Sequence, residues 1–153
     1  MLGYNSGSIS LKVGWGATCR KMYNVAYHNI DIVNYQRVPL HGPGTVVGVN
    51  PQITHTGKPV VISNFSYTNI WYEEQQIVLG IPVSFATVRN FTFTNVVAER
   101  GDCGSVEVQG ASASYDIEGV AFNNVTIGGT RLTEQACNAS MKTNKYASGI
   151  TFG

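Results

Sequence analysis

Hydrophobic and polar residues alternate in the same order in four segments of this chain. Each segment begins with Asn or Gly, continues with an apolar, a small, an aromatic and a polar residue, and closes with Asn and a β-branched residue; the four segments span residues 24–30, 64–70, 90–96 and 119–125. Side chains alternate between the two faces of a strand, so the apolar and aromatic residues of each segment share one face. Recurrence of one pattern at intervals of about 20–50 residues predicts a repeat architecture.

A second series of short apolar segments is interleaved with the first. Each of them ends at or just before a glycine, and they span residues 9–14, 45–48, 77–80, 106–110 and 150–153. One Asn-containing segment falls in each gap between them. We therefore predict a repeating unit of strand, glycine turn, connector and bent double strand with its hinge at Asn.

The second Asn of the repeated segment is predicted to occupy the bend, because Asn tolerates left-handed backbone and hydrogen-bonds locally. Stacked turns would align these residues in a side-chain amide ladder of Asn29, Asn69, Asn95 and Asn124. One turn cannot bury its apolar face alone, so we predict an all-β fold, a parallel β-helix (solenoid) of about five turns. The alternative is a β-sandwich, which does not require one Asn in register on four strands.

The composition favours strands and argues against two kinds of partner. Charged residues make up 12% of the chain, about half of the ~25% usual in soluble domains, and the 17 glycines suit tight turns. The formal net charge is +1 and no basic run is present, so we expect no nucleic-acid partner. No apolar stretch approaches the ~20 residues of a membrane helix, so we expect no membrane association.

The cysteines and the sequons lead to two further expectations. Cys19, Cys103 and Cys137 match no metal-ligand spacing, and we expect no cofactor. They allow at most one disulfide, with three buried thiols as the alternative. N-glycosylation sequons begin at Asn64, Asn90, Asn124 and Asn138. We interpret them as chance products of Asn- and Thr-rich strands, since the repeated Asn position, which includes Asn124, is expected to be buried.

The whole chain, residues 1–153, is predicted to form one β-helix domain. Residues 37–59 contain four of the five prolines and are predicted to form a long loop insertion around one embedded strand. Polar residues 129–148 are predicted to cross one end of the helix. Met1 lies almost directly before a core strand, with neither a signal peptide nor a capping helix. We expect either the C-terminal part of a longer β-helix or self-association through an uncapped N-terminal end.

The two interleaved series together resemble the right-handed parallel β-helix of pectin-lyase-like proteins. Residues 8–15, 23–33 and 44–51 resemble late coils of polygalacturonase-type and dextranase/isopullulanase-type glycoside hydrolases. Residues 125–133 with 149–152 are similar to the way such β-helices finish. The resemblance implies a polysaccharide or oligosaccharide partner and an extracellular or periplasmic location.

The catalytic acids of those enzymes have no counterpart in this sequence. Polygalacturonase-like enzymes carry an Asn-Thr-Asp motif, an Asp-Asp pair and a Gly-His-Gly, and dextranase-like enzymes carry their aspartates upstream of the matched region. The aspartates here are Asp31, Asp102 and Asp116, and none adjoins another. Glu73 and Glu74 are adjacent, but neighbours on a strand point to opposite faces and cannot flank one glycosidic bond. We interpret that pair as a solvated turn.

Three residues are candidate substrate contacts. Lys12 matches the Lys of the family's Arg-Ile-Lys strand, which implies a contact to a sugar hydroxyl or carboxylate; an ordinary surface lysine is the alternative. Trp15 offers a face for sugar stacking, with packing under the 37–59 loop as the alternative. His41 begins the one His-Gly pair of the chain.

Two columns of residues are predicted to point outward from the stacked strands. The first contains Asp31, Trp71, Val97 and Thr126, and the second contains His28, Thr68, Thr94 and Asn123. The members of the first column are dissimilar, which argues against a continuous binding stripe, and a polar column such as the second usually solvates a sheet face.

Three hypotheses of function follow from the fold and the resemblance. The first is the C-terminal portion of a glycoside hydrolase whose catalytic acids lie on other coils. The second is a non-enzymatic β-helix, either a polysaccharide-binding module or an adhesin or fibre segment. The third is a polysaccharide lyase, which needs clustered acids for calcium or a basic residue that abstracts a proton.

Overall fold

The chain folds almost entirely into short and bent β-strands. The computed structural model describes residues 9–11, 21–33, 46–49, 60–73, 78–84, 86–137 and 139–153. The strands are β1 (Ile9–Leu11), β2 (Lys21–Ile32), β3 (Val46–Val49), β4 (Val60–Tyr72), β5 (Val78–Ser84), β6 (Ala86–Ala98), β7 (Val106–Gly110), β8 (Ile117–Ile127), β9 (Thr130–Arg131), β10 (Lys142–Thr143) and β11 (Ala147–Phe152). A 3-10 turn spans Cys103–Ser105, and helix α1 spans Glu134–Cys137.

The strands form two sheets between which the chain alternates. The first sheet has the order β1-β3-β5-β7-β10, and the second has the order β2-β4-β6-β8-β11. Neighbouring strands along both orders are parallel, and β9 adds to β8 in the antiparallel direction. A chain that returns to each sheet one strand further along is a solenoid. The predicted all-β parallel solenoid is therefore confirmed, and the antiparallel sandwich is excluded.

Left-handed asparagines bend the strands of the second sheet. Seven of them have φ between 51° and 59°: Asn24, Asn29, Asn64, Asn69, Asn90, Asn95 and Asn124. In β4 the buried Ile62 and Phe65 lie on either side of the exposed Asn64. Each left-handed residue thus shifts the alternation by one position, so that apolar side chains point inward on both sides of the bend.

Two asparagine ladders run across the second sheet. The predicted one is confirmed: each Nδ2 donates to the Oδ1 of the preceding turn at 2.9–3.0 Å, in the order Asn124, Asn95, Asn69, Asn29. A second ladder, which we did not predict, joins Asn90, Asn64 and Asn24 at 3.0–3.1 Å. Gly119 and Gly149 occupy the corresponding positions on the next two strands, also in left-handed backbone, with φ of 74° and 64°.

The expectation that the repeated asparagines are buried was wrong. Asn124 and the other ladder residues are exposed, because a left-handed residue at a corner directs its side chain away from the core. The sequon asparagines Asn64, Asn90 and Asn124 therefore lie on the surface, with their Nδ2 atoms hydrogen-bonded within the ladders.

Stacked rings form the centre of the core. One column joins successive turns with centroid separations of 4.8, 5.1, 5.1 and 5.8 Å through Tyr27, Tyr67, Phe93, Phe122 and Phe152. A neighbouring pair, Phe65 and Phe91, stacks at 5.0 Å. Stacking of like residues on successive turns is how the repeated aromatic position buries its area.

The strand–glycine series is only partly in register. Gly48 pairs with Gly80, but Gly80 then pairs with Glu107 rather than with Gly110, and the partner of Gly48 on β1 is Ser10. The predicted equivalence of five strand-ending glycines was therefore wrong. The physical reason is that the glycines are needed for different local contacts. At Gly110, a Cβ would lie 2.7 Å from two backbone carbonyl oxygens.

The last segment of that series also belongs elsewhere. Residues 150–152 lie in β11, which continues the second sheet beside β8, with Ile150 opposite Val120 and Phe152 opposite Phe122. The fifth strand of the first sheet is instead β10, within the 129–148 segment, where Lys142 pairs with Glu107. That segment also contributes the buried Leu132 and Cys137 to the core.

Replacing Asn95 with alanine is expected to lower the free energy of unfolding by about 2–5 kcal/mol. Alanine in left-handed backbone costs roughly 1–2 kcal/mol, and each of the two lost ladder hydrogen bonds contributes about 0.5–1.5 kcal/mol. Asn95→Gly keeps the backbone conformation and loses only the hydrogen bonds, so its effect should be smaller. Urea denaturation of the two variants measures the difference, and equal losses would contradict the role given to the backbone.

Candidate functional site

A polar pocket of about 380 Å³ opens on the outer side of the first sheet, beside β7 and β10. The described residues that line it are Val78, Gly101, Asp102, Gly104, Ser105, Glu107 and Lys142. Val106 and Val108 are buried on the opposite face of β7, so Glu107 projects outward between them. Strand alternation thus explains why the Glu107 side chain faces the pocket.

The wall of the pocket before β7 is a 3-10 turn stabilised by Asp102. The Asp102 Oδ1 accepts a hydrogen bond of 2.8 Å from the Gly104 amide, and the Ser105 hydroxyl donates to the Asp102 carbonyl at 2.7 Å. A Cβ on Gly104 would lie 2.9 Å from the Asp102 Oδ1. Glycine at this position therefore allows the carboxylate to fold over the turn and leaves the pocket open.

An ion pair joins the strands at the base of the pocket. Lys142 of β10 donates from its Nζ to the Glu107 Oε1, and the two residues are register partners. The side chain of Glu107 is 14% exposed, whereas that of Lys142 is 55% exposed. The lysine therefore keeps most of its donor capacity towards solvent. Asp102, Glu107 and Lys142 together give the described pocket a formal charge of −1.

A disulfide lies directly behind this wall. Cys103 and Cys137 are bonded, with their Cα atoms 5.3 Å apart, and both are buried. The sequence allowed either one disulfide or three buried thiols, and the structure shows a disulfide between Cys103 and Cys137. Cys19 lies outside the described residues. The bond attaches the turn to α1, whose chain continues into β10.

The pocket carboxylates are not arranged as a free hydrolytic pair. Inverting hydrolysis needs one carboxyl group as acid and another as base, with room for water between them. One oxygen of Asp102 already accepts a backbone amide, and Glu107 is paired with Lys142. What the arrangement offers is a set of fixed donors and acceptors beside a small apolar surface at Val78.

None of the candidates named from the sequence that the structure describes lines this pocket. Lys12, Trp15 and His41 lie outside the described residues, and so does Glu74. Asp31 is exposed on β2 and Glu73 is half-buried after β4, and neither of them lines the pocket. The ladder residues Asn29, Asn69, Asn95 and Asn124 are structural and lie on the second sheet.

The register of the second sheet places both predicted columns as expected. Asp31, Trp71, Val97 and Thr126 align, as do His28, Thr68, Thr94 and Asn123. Val97 is 39% exposed, and all members are exposed or half-buried. Neither of these two columns carries a charge cluster comparable with the pocket.

Sequence reasoning missed the pocket because its parts are far apart in the chain. The local signal was Asp102-Cys-Gly-Ser105, an Asx turn followed by an alternating strand. Nothing in the sequence indicated that Lys142 would pair with Glu107. Within the part of the chain that is described, no group of three His, Cys, Asp or Glu residues could hold a metal ion.

A second polar network lies on the outer side of the second sheet. The Arg89 Nη2 donates to both carboxylate oxygens of Asp116 at 2.8 and 2.9 Å, and its Nε lies 3.4 Å from the Glu118 carboxylate. Its Nη1 also donates to the carbonyls of Val88 and Asp116. This arrangement consumes the donors of the guanidinium, so we interpret it as a structural link between β6 and the start of β8.

Two tyrosine hydroxyls are held in the core. Tyr67 donates to the Gly48 carbonyl at 3.0 Å across the two sheets. Burial, with a smaller contribution from Tyr27, raises the pKa of Tyr67 well above its usual value, and burial alone raises the pKa of Tyr72. Tyr72 Oη has no hydrogen-bond partner among the described residues. Both phenols stay protonated at neutral pH.

Comparison with known proteins gives no family assignment. No protein-family description, no curated protein and no solved structure matches this chain. None of the helices in the described ranges has the length and apolar character needed to span a membrane.

Proposed function

We propose that this chain is a polysaccharide-binding β-solenoid that holds its ligand in the polar pocket beside β7 and β10. The observation that carries the proposal is the pocket itself: about 380 Å³ of space with a hydroxyl, two carboxylates and an ammonium on a rigid scaffold. That volume falls within the roughly 300–1,000 Å³ range of small-molecule sites. The resemblance to polysaccharide-acting β-helices supplies the ligand class.

The chemistry of the lining suits a polyhydroxylated ligand. Sugar hydroxyls both donate and accept, so they can use the outward donors of Lys142 and the acceptor oxygens of Asp102 and Glu107. Val78 gives an apolar surface for the C–H face of a sugar ring. Because Glu107 and Asp102 are already held by Lys142 and by the turn, their positions are set before the ligand arrives.

The same contacts argue for binding without hydrolysis. A general acid must release its proton to the glycosidic oxygen, and a general base must contact the attacking water. Glu107 is held by an ammonium and Asp102 by a backbone amide. On this proposal any catalytic acids of the wider β-helix type act from coils other than these, and the protein works outside the cell, where polysaccharides accumulate.

Lys142→Ala is expected to weaken polysaccharide binding about tenfold, which is the loss of one charge-assisted hydrogen bond. Titration calorimetry with polygalacturonate, dextran and a soluble glucan identifies the ligand and measures the affinity. Nitrogen-15 amide shifts should change at residues 101–107 and at Lys142. Reducing-sugar assays on the same samples should show no turnover.

Arg131→Ala is the matched control, since Arg131 is an exposed cation on β9 outside the pocket. It should leave the affinity unchanged. Equal losses for the two variants would indicate non-specific charge attraction and reject the pocket. Failure of every polysaccharide to bind would reject the function, and sugar release abolished by Glu107→Gln would show that the pocket is catalytic.

A further inference from the structure

The disulfide links the two chain segments that form the walls of the pocket. Cys103 is flanked in sequence by the lining residues Asp102 and Gly104, so it belongs to the wall that precedes β7. Cys137 ends α1, and the chain after α1 leads to Lys142 on the other wall. One covalent bond therefore ties together the two segments that must stay in place for the pocket to keep its shape.

Few other contacts among the described residues hold the turn against α1. The Cys103 Sγ lies 4.0 Å from the Ala136 carbonyl oxygen, which is a van der Waals contact because a disulfide sulfur carries no hydrogen to donate. The helix side is ordered by its own bonds, because the Ser140 and Met141 amides both donate to the Cys137 carbonyl at 3.0 and 2.9 Å. The 3-10 turn, by contrast, is held mainly by Asp102, which is itself a pocket residue.

We propose that the Cys103–Cys137 disulfide is the positioning element of the pocket and that ligand binding is therefore sensitive to thiol reductants. The proposal rests on the polysaccharide-binding function given above. With the bond closed, Asp102 and Ser105 are fixed relative to Lys142. With the bond open, the turn and α1 move independently, and the ligand must order them again when it binds.

Reduction of the Cys103–Cys137 disulfide requires only a dithiol. A dithiol thiolate attacks the Cys103 sulfur, which is the less buried of the two at 7% exposure against 0%. The S–S bond breaks, and Cys137 leaves as a thiolate that takes up a proton. The second thiol of the reagent then displaces Cys103 from the mixed disulfide. Two electrons and two protons pass to the cysteines, and the dithiol becomes a cyclic disulfide.

The test compares oxidised and dithiothreitol-treated protein. Hydrogen exchange without ligand should become faster at residues 101–107 on reduction, whereas the central strands β4 and β6 keep their protection. The affinity for the polysaccharide identified above should fall about tenfold and return on reoxidation. Cys137→Ala should show the reduced behaviour without added reductant, and Cys19→Ser should behave as the unchanged protein.

The other outcomes distinguish failure of the positioning role from failure of the proposed function. Equal affinity of the oxidised and reduced forms would overturn the positioning role and leave the binding function intact. Loss of the strand circular-dichroism signal on reduction, in both the unchanged protein and Cys137→Ala, would mean that the bond holds the fold and not the pocket. If the oxidised protein binds no polysaccharide, the proposed function fails. In that case unchanged exchange at residues 101–107 would overturn the positioning role, and faster exchange there would support it.

Discussion

Replacing Gly80 with alanine is expected to destabilise the solenoid strongly. Gly80 has φ of +116°, and a Cβ there would lie 2.4 Å from the Glu107 carbonyl oxygen of the next turn. Backbone in this region costs a residue with a side chain about 1–3 kcal/mol before any clash. The clash is with backbone, so relieving it must separate β5 from β7. We expect a loss of more than about 3 kcal/mol from a total of roughly 5–15 kcal/mol.

Gly129→Ala is the matched control for this prediction. Gly129 also has positive φ, +78°, but no atom of the described residues lies within 4 Å of the Cβ position. It should cost only the conformational penalty of roughly 1–2 kcal/mol. Urea denaturation followed by circular dichroism compares the two variants. A loss for Gly80→Ala no larger than that for Gly129→Ala would show that β5 and β7 separate more easily than their geometry indicates.

The asparagine ladder could be predicted from the sequence because its cause is local. Left-handed backbone favours Asn at any bend, and the same residue at 29, 69, 95 and 124 reports the same bend. The second ladder follows from the same rule, yet its fourth position is Gly119, which is left-handed without an amide. Because glycine occupies the fourth and fifth positions of this column, an amide ladder was predicted only for the second Asn of each segment.

The register of the first sheet was not predictable in the same way. Glycine can reflect a left-handed conformation, a close approach of backbone or both, and the sequence does not distinguish them. Gly80 is required because the Glu107 carbonyl approaches it, whereas Gly110 is required because the carbonyls of Tyr115 and Tyr146 approach it. Such contacts exist only after distant segments have packed, so equivalence by residue type misplaced the series.

The candidate site depended even more on long-range packing. Cys103 and Cys137 are 34 residues apart, and three cysteines allow several pairings. Glu107 and Lys142 become partners only because β10 pairs with β7 as the fifth strand of the first sheet. The solenoid scaffold could be predicted from local sequence rules. The pocket could not, because its residues come together only through the order in which the turns stack.

Phe93→Ala is expected to lower the free energy of unfolding by about 3–5 kcal/mol, the usual range for deleting a buried phenylalanine. Phe93 is fully buried in the centre of the aromatic column, with ring centroids 5.1 Å away on both sides, at Tyr67 and Phe122. The two neighbours belong to the preceding and following turns. Removing the middle ring therefore breaks the continuity of the column and not only one contact.

The expected pattern across substitutions tests this reading of the column. Phe93→Leu keeps most of the volume and should cost less than about 1.5 kcal/mol. Val97→Ala on the same strand points outward at 39% exposure and should change stability by less than about 0.5 kcal/mol. In thermal and urea unfolding, Phe93→Ala should have the largest effect, Phe93→Leu a smaller one and Val97→Ala the smallest. If Phe93→Leu is as damaging as Phe93→Ala, ring stacking rather than buried volume holds successive turns together, because leucine fills the space but cannot stack.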